Sequence, residues 1–361
     1  MSTREVYQWF KEIHERLSLG KWQALGLAVL SLGIVLSERS TISKITEKLG
    51  VMGKADSVER RIQRWLANNR IVLKACCRAW AAWVFERVVE GKQIILLVDL
   101  TKLAGRLDVM MVGLAYRKRC IPLAWRCMAG QQTWEKAQVL VISELLSWIA
   151  PAVPEGQCPI VEADRGIGNS SALARAVADL GWYFLFRVRD NVRVRLADGR
   201  ERILADLIQP GRQWSGTGEV FKKGGWIQAH IHLIWKRSMD EPWCIVTNHP
   251  QAMAAWYAVR MWQEEGFRDL KSGGWQWHRS QVRQPDHAER LILALTLAYA
   301  WTLSLGTRAI RAGKTVLSHI TRGHRRTYSV FRLGLRYFSH LKRSRQPMPM
   351  TLFFRPDFVF P

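Results

Sequence analysis

The 361-residue sequence predicts a mixed α/β fold, on three observations. Residues 1–90 read as helices. Apolar runs of strand length begin at residue 91, and two of them end in an aspartate. A two-faced helix carrying both signs of charge follows at 257–275. A chain of this length buries a sizeable core and divides into two or three domains, since compact domains run to about 100–200 residues.

In the helical region, Thr41, or Ser40 before it, is placed to cap "ISKITEKLG". "SVERRIQRWLANN" (57–69) then sets Arg60 and Arg64 on one helix face with Arg61 adjacent, leaving Ile62, Trp65 and Leu66 for packing. A short basic helix of this kind suits a DNA groove, or is a solvated helix face. From residue 91, "KQIILLVDLT", "RLDVMMVGLAY" and "RCIPLAWRCM" read as three successive antiparallel strands. A helix "TWEKAQVLVISELLSWIA" (133–150), a short strand ending "IVEAD" (160–164), a helix from about 169 and a strand "WYFLFRVR" (182–189) complete a β-β-β-α-β-α-β order. This is the order of a ribonuclease H-like core, in which a crossover helix returns a strand parallel to the first.

Residues 190–249 hold short, partly alternating runs separated by Gly, Asp and Pro, which predicts a β-rich insertion. The core resumes over 250–306, and 307–361 reads as a basic C-terminal arm. Residues 307–345 carry no acidic residue, and their Arg and Lys alternate with Val330, Phe331, Leu333, Leu335, Tyr337 and Phe338. That mixture suits a partner subunit and a phosphate backbone, so the arm is expected to be removable after Gly306 without loss of the core.

The chain carries 54 Lys and Arg against 30 Asp and Glu, a net charge of +24 that favours an anionic polymer as partner, nucleic acid first. The apolar stretches 24–36 and 291–306 fall short of the roughly 20 residues that span a bilayer and read as buried helices. Six cysteines without a C-x-x-C pair indicate neither a disulfide framework nor structural zinc, so a reduced, cytoplasmic chain without a membrane segment is expected.

On the helix "YAVRMWQEEGFRDLKSGGW", Tyr257, Arg260, Glu264, Arg268 and Lys271 project within a sector of about 80°, with Trp256, Val259, Phe267 and Leu270 opposite. Such a stripe is also what a solvated face with ion pairs looks like. Asp99 and Asp164 each end a strand, at adjacent positions if the strands pair in parallel, and Glu264 beside them completes three carboxylates. Hard oxygen ligands with open positions suit Mg²⁺ or Mn²⁺, and three clustered carboxylates repel one another unless a cation holds them.

These residues carry a resemblance. Tyr257, Arg260, Glu264 and Lys271 stand at the Tyr-(2)-Arg-(3)-Glu-(6)-Lys spacing of the insertion-sequence-4 family of bacterial DDE transposases. "VDLT" (98–101) resembles that family's first-Asp motif, "EADRGIGN" (162–169) its second, and "CIVTN" (244–248) its closing strand of the insertion. The similarity covers residues 55–300, with Ile167 and Gly168 standing where the family usually has Phe and an acidic residue.

The resemblance implies a cut-and-paste transposase, with residues 1–90 binding transposon ends. Asp99, Asp164 and Glu264 would hold two Mg²⁺ or Mn²⁺ ions for in-line phosphoryl transfer on double-stranded DNA, both transposon ends and target. Tyr257, Arg260 and Lys271 would grip phosphates, while Arg268 lies on the same face outside the signature, as a phosphate contact or an ion-pair partner. A homodimer is implied in the DNA complex, and a nucleoid-associated location. An aromatic of the insertion would stack a flipped base, with Trp214, Trp226, Trp235 and Trp243 as candidates and Trp226, flanked by "KKGG", put first. His230 and His232 share a strand face without a completed ligand set. The alternatives are a Mg²⁺ nuclease or resolvase of the same fold, and a catalytically idle DNA-binding inhibitor.

Overall fold

The computed structural model describes residues 2–50, 53–88, 93–103, 105–130, 137–321 and 328–355. The start of the helix expected from 133, and residues 322–327 and 356–361 of the basic arm, lie outside the described residues. Helices α1 (Thr3–Arg16), α2 (Lys21–Ser37), α3 (Ile42–Lys48), α4 (Ala55–Leu66) and α5 (Leu73–Val88) precede the sheet. Thr41 does occupy the N-cap of α3, but its hydroxyl donates to the Arg279 carbonyl instead of capping the helix. On α4, Val58, Ile62, Trp65 and Leu66 are buried and Arg60, Arg61 and Arg64 are exposed, the two-sided pattern read from the sequence.

Strands β1 (Ile95–Leu103), β2 (Leu107–Tyr116) and β3 (Arg119–Ala129) pair antiparallel. Helix α6 (Gln138–Ile149) then leads to β4 (Ile160–Ala163), and α7 (Ser171–Asp179) to β5 (Tyr183–Val188). The predicted order of three strands, helix, strand, helix, strand is therefore present, with β4 parallel to β1 and β5 parallel to β4. Each parallel step needs a crossover, and the two helices supply it.

The β-rich stretch does not fold as a separate sheet. Strands β6 (Arg193–Leu196), β7 (Glu201–Ile203), β8 (Arg212–Val220), β9 (Ile227–Trp235) and β10 (Trp243–Thr247) extend the same one, giving the order β3-β2-β1-β4-β5-β10-β9-β8-β6-β7. The link is the antiparallel β5–β10 pair, Cys244 opposite Val188 through Thr247 opposite Leu185. Without it the outer edge of β5 would present unpaired backbone groups.

Alternation on β1 decides which residues face which helices. Ile95 and Leu97 pack with Ala115, Cys120, Val259 and Trp262, while Leu96 and Val98 enter the main core. Helix α8 (Met261–Leu270) thus covers one face of β1–β3. The central helix α9 (Pro285–Ala312), longer than the apolar stretch predicted, meets β3 from the core side. By length and composition α9 matches a membrane span, but its apolar window is buried inside the protein. Arg119 on β3 donates to Asp269 of α8, which also accepts from the Tyr299 hydroxyl of α9, so one buried ion pair ties three elements.

The C-terminal arm departs most from expectation. After α10 (Lys314–Ile320), helix α11 (Val330–Arg343) packs on α9, with Val330, Phe331, Leu333, Leu335 and Phe338 buried and only Tyr337 half-buried. The apolar half of the tail therefore completes this protein's own core, and removal after Gly306 would strip it. The alternating Arg and Lys mark the solvent side of an amphipathic helix, a pattern that also fits an intermolecular surface. The two helices meet closely, since a Cβ at Gly334 would lie 1.9 Å from the Thr302 carbonyl oxygen.

Two predictions follow from this packing. Gly334→Val is expected to cost about 3 kcal/mol or to block folding, read as the midpoint of urea unfolding, because the carbonyl of Thr302 cannot yield. Burial raises the Asp269 carboxyl to about 6, against the opposing pull of Arg119. A raised acid binds its proton more tightly in the folded state, so its contribution to stability falls as pH rises from about 4 to about 6. Asp269→Asn is expected to remove that slope from stability measured across the same window.

Candidate active site

The parallel register of β1 and β4 places Val98 beside Ala163, so the next residues, Asp99 and Asp164, stand side by side at the strand ends. Alternation turns both toward the face covered by residues 254–270. Helix α8 brings Glu264 to the same place. The three carboxylates converge on one guanidinium: Arg260 Nη2 lies 2.9 Å from Asp99 Oδ2 and 3.6 Å from Asp164 Oδ2, and its Nη1 lies 3.2 Å from Glu264 Oε1.

Each aspartate is also held by its own backbone. The Leu100 N–H donates to Asp99 Oδ1 at 2.8 Å. Asp99 is buried, and burial pushes its carboxyl up to about 7; Arg260 opposes the shift, and Asp164 and Glu264 add to it. Asp164 Oδ1 accepts from the N–H groups of Gly166 and Ile167, both at 3.0 Å, which fixes the turn after β4. Gly168 closes that turn, and a Cβ there would lie 2.8 Å from Phe186 Cβ and 2.9 Å from the carbonyl oxygens of Asp164 and Arg187. The position where the resemblance leads one to expect an acidic side chain thus has no room for one.

The helix projected over 257–271 is shorter than expected. Residues 254–260 form a 3₁₀ helix, Arg260 is the N-cap of α8, and Lys271 its C-cap. The 100° spacing therefore fails before 261, and Tyr257 leaves the polar stripe. It is buried, packed edge-to-face on Trp243 at 5.4 Å. Lys271 Nζ donates to Thr101 Oγ1 at 2.5 Å and to the Lys102 carbonyl at 2.9 Å; burial lowers its pKa, opposed by Glu264 and Asp99. Arg268 is exposed and pairs with Glu265. Arg60, Arg61 and Arg64 sit apart on α4, which packs on α2, α3 and α9. Trp226 is half-buried, with the Arg195 guanidinium 4.9 Å above its ring. The Ser215 hydroxyl and His232 Nδ1 lie 3.0 Å apart.

Sequence reasoning passed over two features. Glu162 lies on β4 two residues before Asp164, hence on the same face, and is fully buried; burial raises its carboxyl well above the usual range, with Arg260 opposing. The quoted "EADRG" already held that signal, in its spacing of two. Glu241 joins Arg165 of that motif to Arg187 of β5; nothing in the local sequence announces this pairing.

The donor chemistry fits a hard divalent cation, since three carboxylates from two strand ends and one helix converge around the Arg260 guanidinium. As they stand, no three acidic, His or Cys groups among the described residues are close enough to hold an ion. The guanidinium supplies the compensating charge. Arg260→Ala is expected to lower stability by about 3 kcal/mol without divalent ions, because the acids then face one another unpaired. Thermal melts should show that loss reversed by Mn²⁺ and not by Na⁺ of equal ionic strength.

No curated protein matches the sequence. Residues 139–301, which include Asp164 and Glu264 but not Asp99, match the family described as "Transposase DDE domain". The match supports a DDE transposase.

Proposed function

We propose that the chain is a transposase of the insertion-sequence-4 family, built on a ribonuclease H-like core, which cuts DNA at the ends of a mobile element and joins them to target DNA. The observation that carries this reading is the convergence of Asp99 and Asp164, from adjacent parallel strand ends, with Glu264 from α8. Two Mg²⁺ or Mn²⁺ ions held by these carboxylates would supply the Lewis acidity that activates an attacking oxygen and takes up charge on the leaving one.

The chain's own residues do the rest. Asp99 and Asp164 are oriented by backbone N–H groups on Oδ1, and the Oδ2 of each faces Arg260. Arg260, released from the acids, is a planar fork suited to a phosphate, and Lys271, fixed over β1, is a point charge beside it. Buried Tyr257 supports the segment that carries Arg260. The exposed Arg60, Arg61 and Arg64 of α4 form the surface proposed to hold element ends, in a homodimer that brings two ends together.

The test is a plasmid carrying the element's ends, incubated with protein and Mg²⁺. Asp99→Asn, Asp164→Asn and Glu264→Gln are each expected to lower cleavage by about 10³-fold or more while DNA affinity changes less than about threefold. Cleavage at the wild-type rate in any of them overturns the assignment. Cleavage without joined product in the wild type identifies a nuclease instead.

A further inference from the structure

A cleft of about 970 Å³ opens between the start of α7, the β5–β6 turn and the turn at residues 221–225. Its charged lining is of one sign: Arg189, Arg193, Lys222 and Lys223, accompanied by the amides of Asn169 and Asn191 and by no carboxylate. Glu201 pairs with Lys222 at 2.7 Å and with Arg193 at 3.8 Å, so two of the four cations are partly neutralised. Arg189 and Lys223 are exposed and make no ion pair with the described residues.

The wall that carries the lysines is built to hold its shape. Phe221 is buried in the left-handed region at φ +68°, an uncommon conformation for a side chain with a Cβ, and starts the reversal. Arg175 on α7 then donates to the carbonyls of Gly224 at 2.6 Å and Gly225 at 2.9 Å. A Cβ on Gly224 would lie 1.9 Å from Ser171 Oγ and 3.0 Å from its Cβ, and Gly225 takes φ +90°, a conformation that favours glycine. On the opposite side the Asn169 side chain accepts from the Arg189 backbone N–H at 3.4 Å.

We infer that this cleft binds the sugar-phosphate backbone of a DNA strand whose scissile phosphate lies at Asp99, Asp164 and Glu264. The inference rests on the proposed function. Two exposed cations outside the ion pairs, Arg189 and Lys223, set in an open polar cleft beside neutral amide donors, match a chain of phosphodiesters in charge and in hydrogen-bonding sense. The position agrees. Asn169 follows Asp164 by five residues, and Arg189 follows β5, the parallel neighbour of β4 about 5 Å away. Cleft and carboxylates therefore both lie beyond the C-terminal ends of β4 and β5, the carboxylates toward α8 and the cleft toward α7.

The test uses the full chain and a fluorescein-labelled duplex, titrated over a range of salt. The double variant Arg189→Gln/Lys223→Gln removes two exposed charges; Arg4→Gln/Lys74→Gln removes two from α1 and α5 as a charge-matched control. For two lost phosphate contacts, the slope of log affinity against log salt is expected to fall by about 1.8, with affinity about tenfold or more lower at ~0.1 M salt. The control should retain the wild-type slope, and both variants the wild-type melting curve. An unchanged slope in the cleft variant, or an equal fall in the control, overturns the cleft while leaving the proposed function standing. Pyrophosphate binding that is lost in the cleft variant while the DNA slope stays constant assigns the cleft to a small anion and overturns the inference. A wild-type protein that binds no duplex overturns the proposed function as well.

Discussion

Three carboxylates within reach of one guanidinium set the terms for the rest of this structure. Like charges so placed repel strongly where water is scarce, and the fold brings them together only by supplying Arg260 from the segment that lies over them. Breaking such an arrangement costs more than forming it gains, because Asp99 stays buried without its partner. The surrounding elements can be read as the means of delivery. Parallel register aligns two aspartates, a covering helix adds a glutamate, and a 3₁₀ segment turns the arginine inward.

That delivery depends on neighbours that never touch the acids. Arg119 anchors α8 through Asp269 and Glu265, and Tyr299 ties the same aspartate to the central helix. On the other flank Tyr257 and Trp243 seat residues 254–260 against β4, β5 and β10. Polar groups inside a packed region restrict the arrangement to one geometry, since each must find its partner. The tail contributes too, since α11 closes the side of α9 that would otherwise be bare.

Much of this was legible in the sequence because strand and helix periods leave plain traces. The succession from β1 to β5, the two strand-end aspartates and the apolar side of α8 all follow from alternation and from spacings of three and four. What escaped was set by tertiary contact. A 3₁₀ turn and an α-helical turn share a local sequence, so the phase error at Tyr257 was invisible. The amphipathic α11 looks the same whether its apolar side meets this chain or another, and the partner is fixed as α9 by tertiary contacts such as Gly334 against Thr302 and Gly306 against Val330. The role of Arg260 among the acids was equally hidden, because charge along one helix face says nothing of what lies across from it. Asp99 falls outside the matched stretch 139–301, and its place in the cluster rests on the β1–β4 register.

The β5–β10 pairing has a mechanical consequence. Strands β6 to β10 are hydrogen-bonded through it to the strand beside the one that ends at Asp164, so no hinge separates the outer half of the sheet from the acids. A sheet joined in this way behaves as one stiff plate. A DNA strand bound as proposed would be gauged against a fixed ruler, with one mark at the carboxylates and another at the basic cleft. Adjusting the distance between them would require breaking the backbone ladder between β5 and β10. Selection among substrates would then come from the polymer, which must bend or open to match both marks.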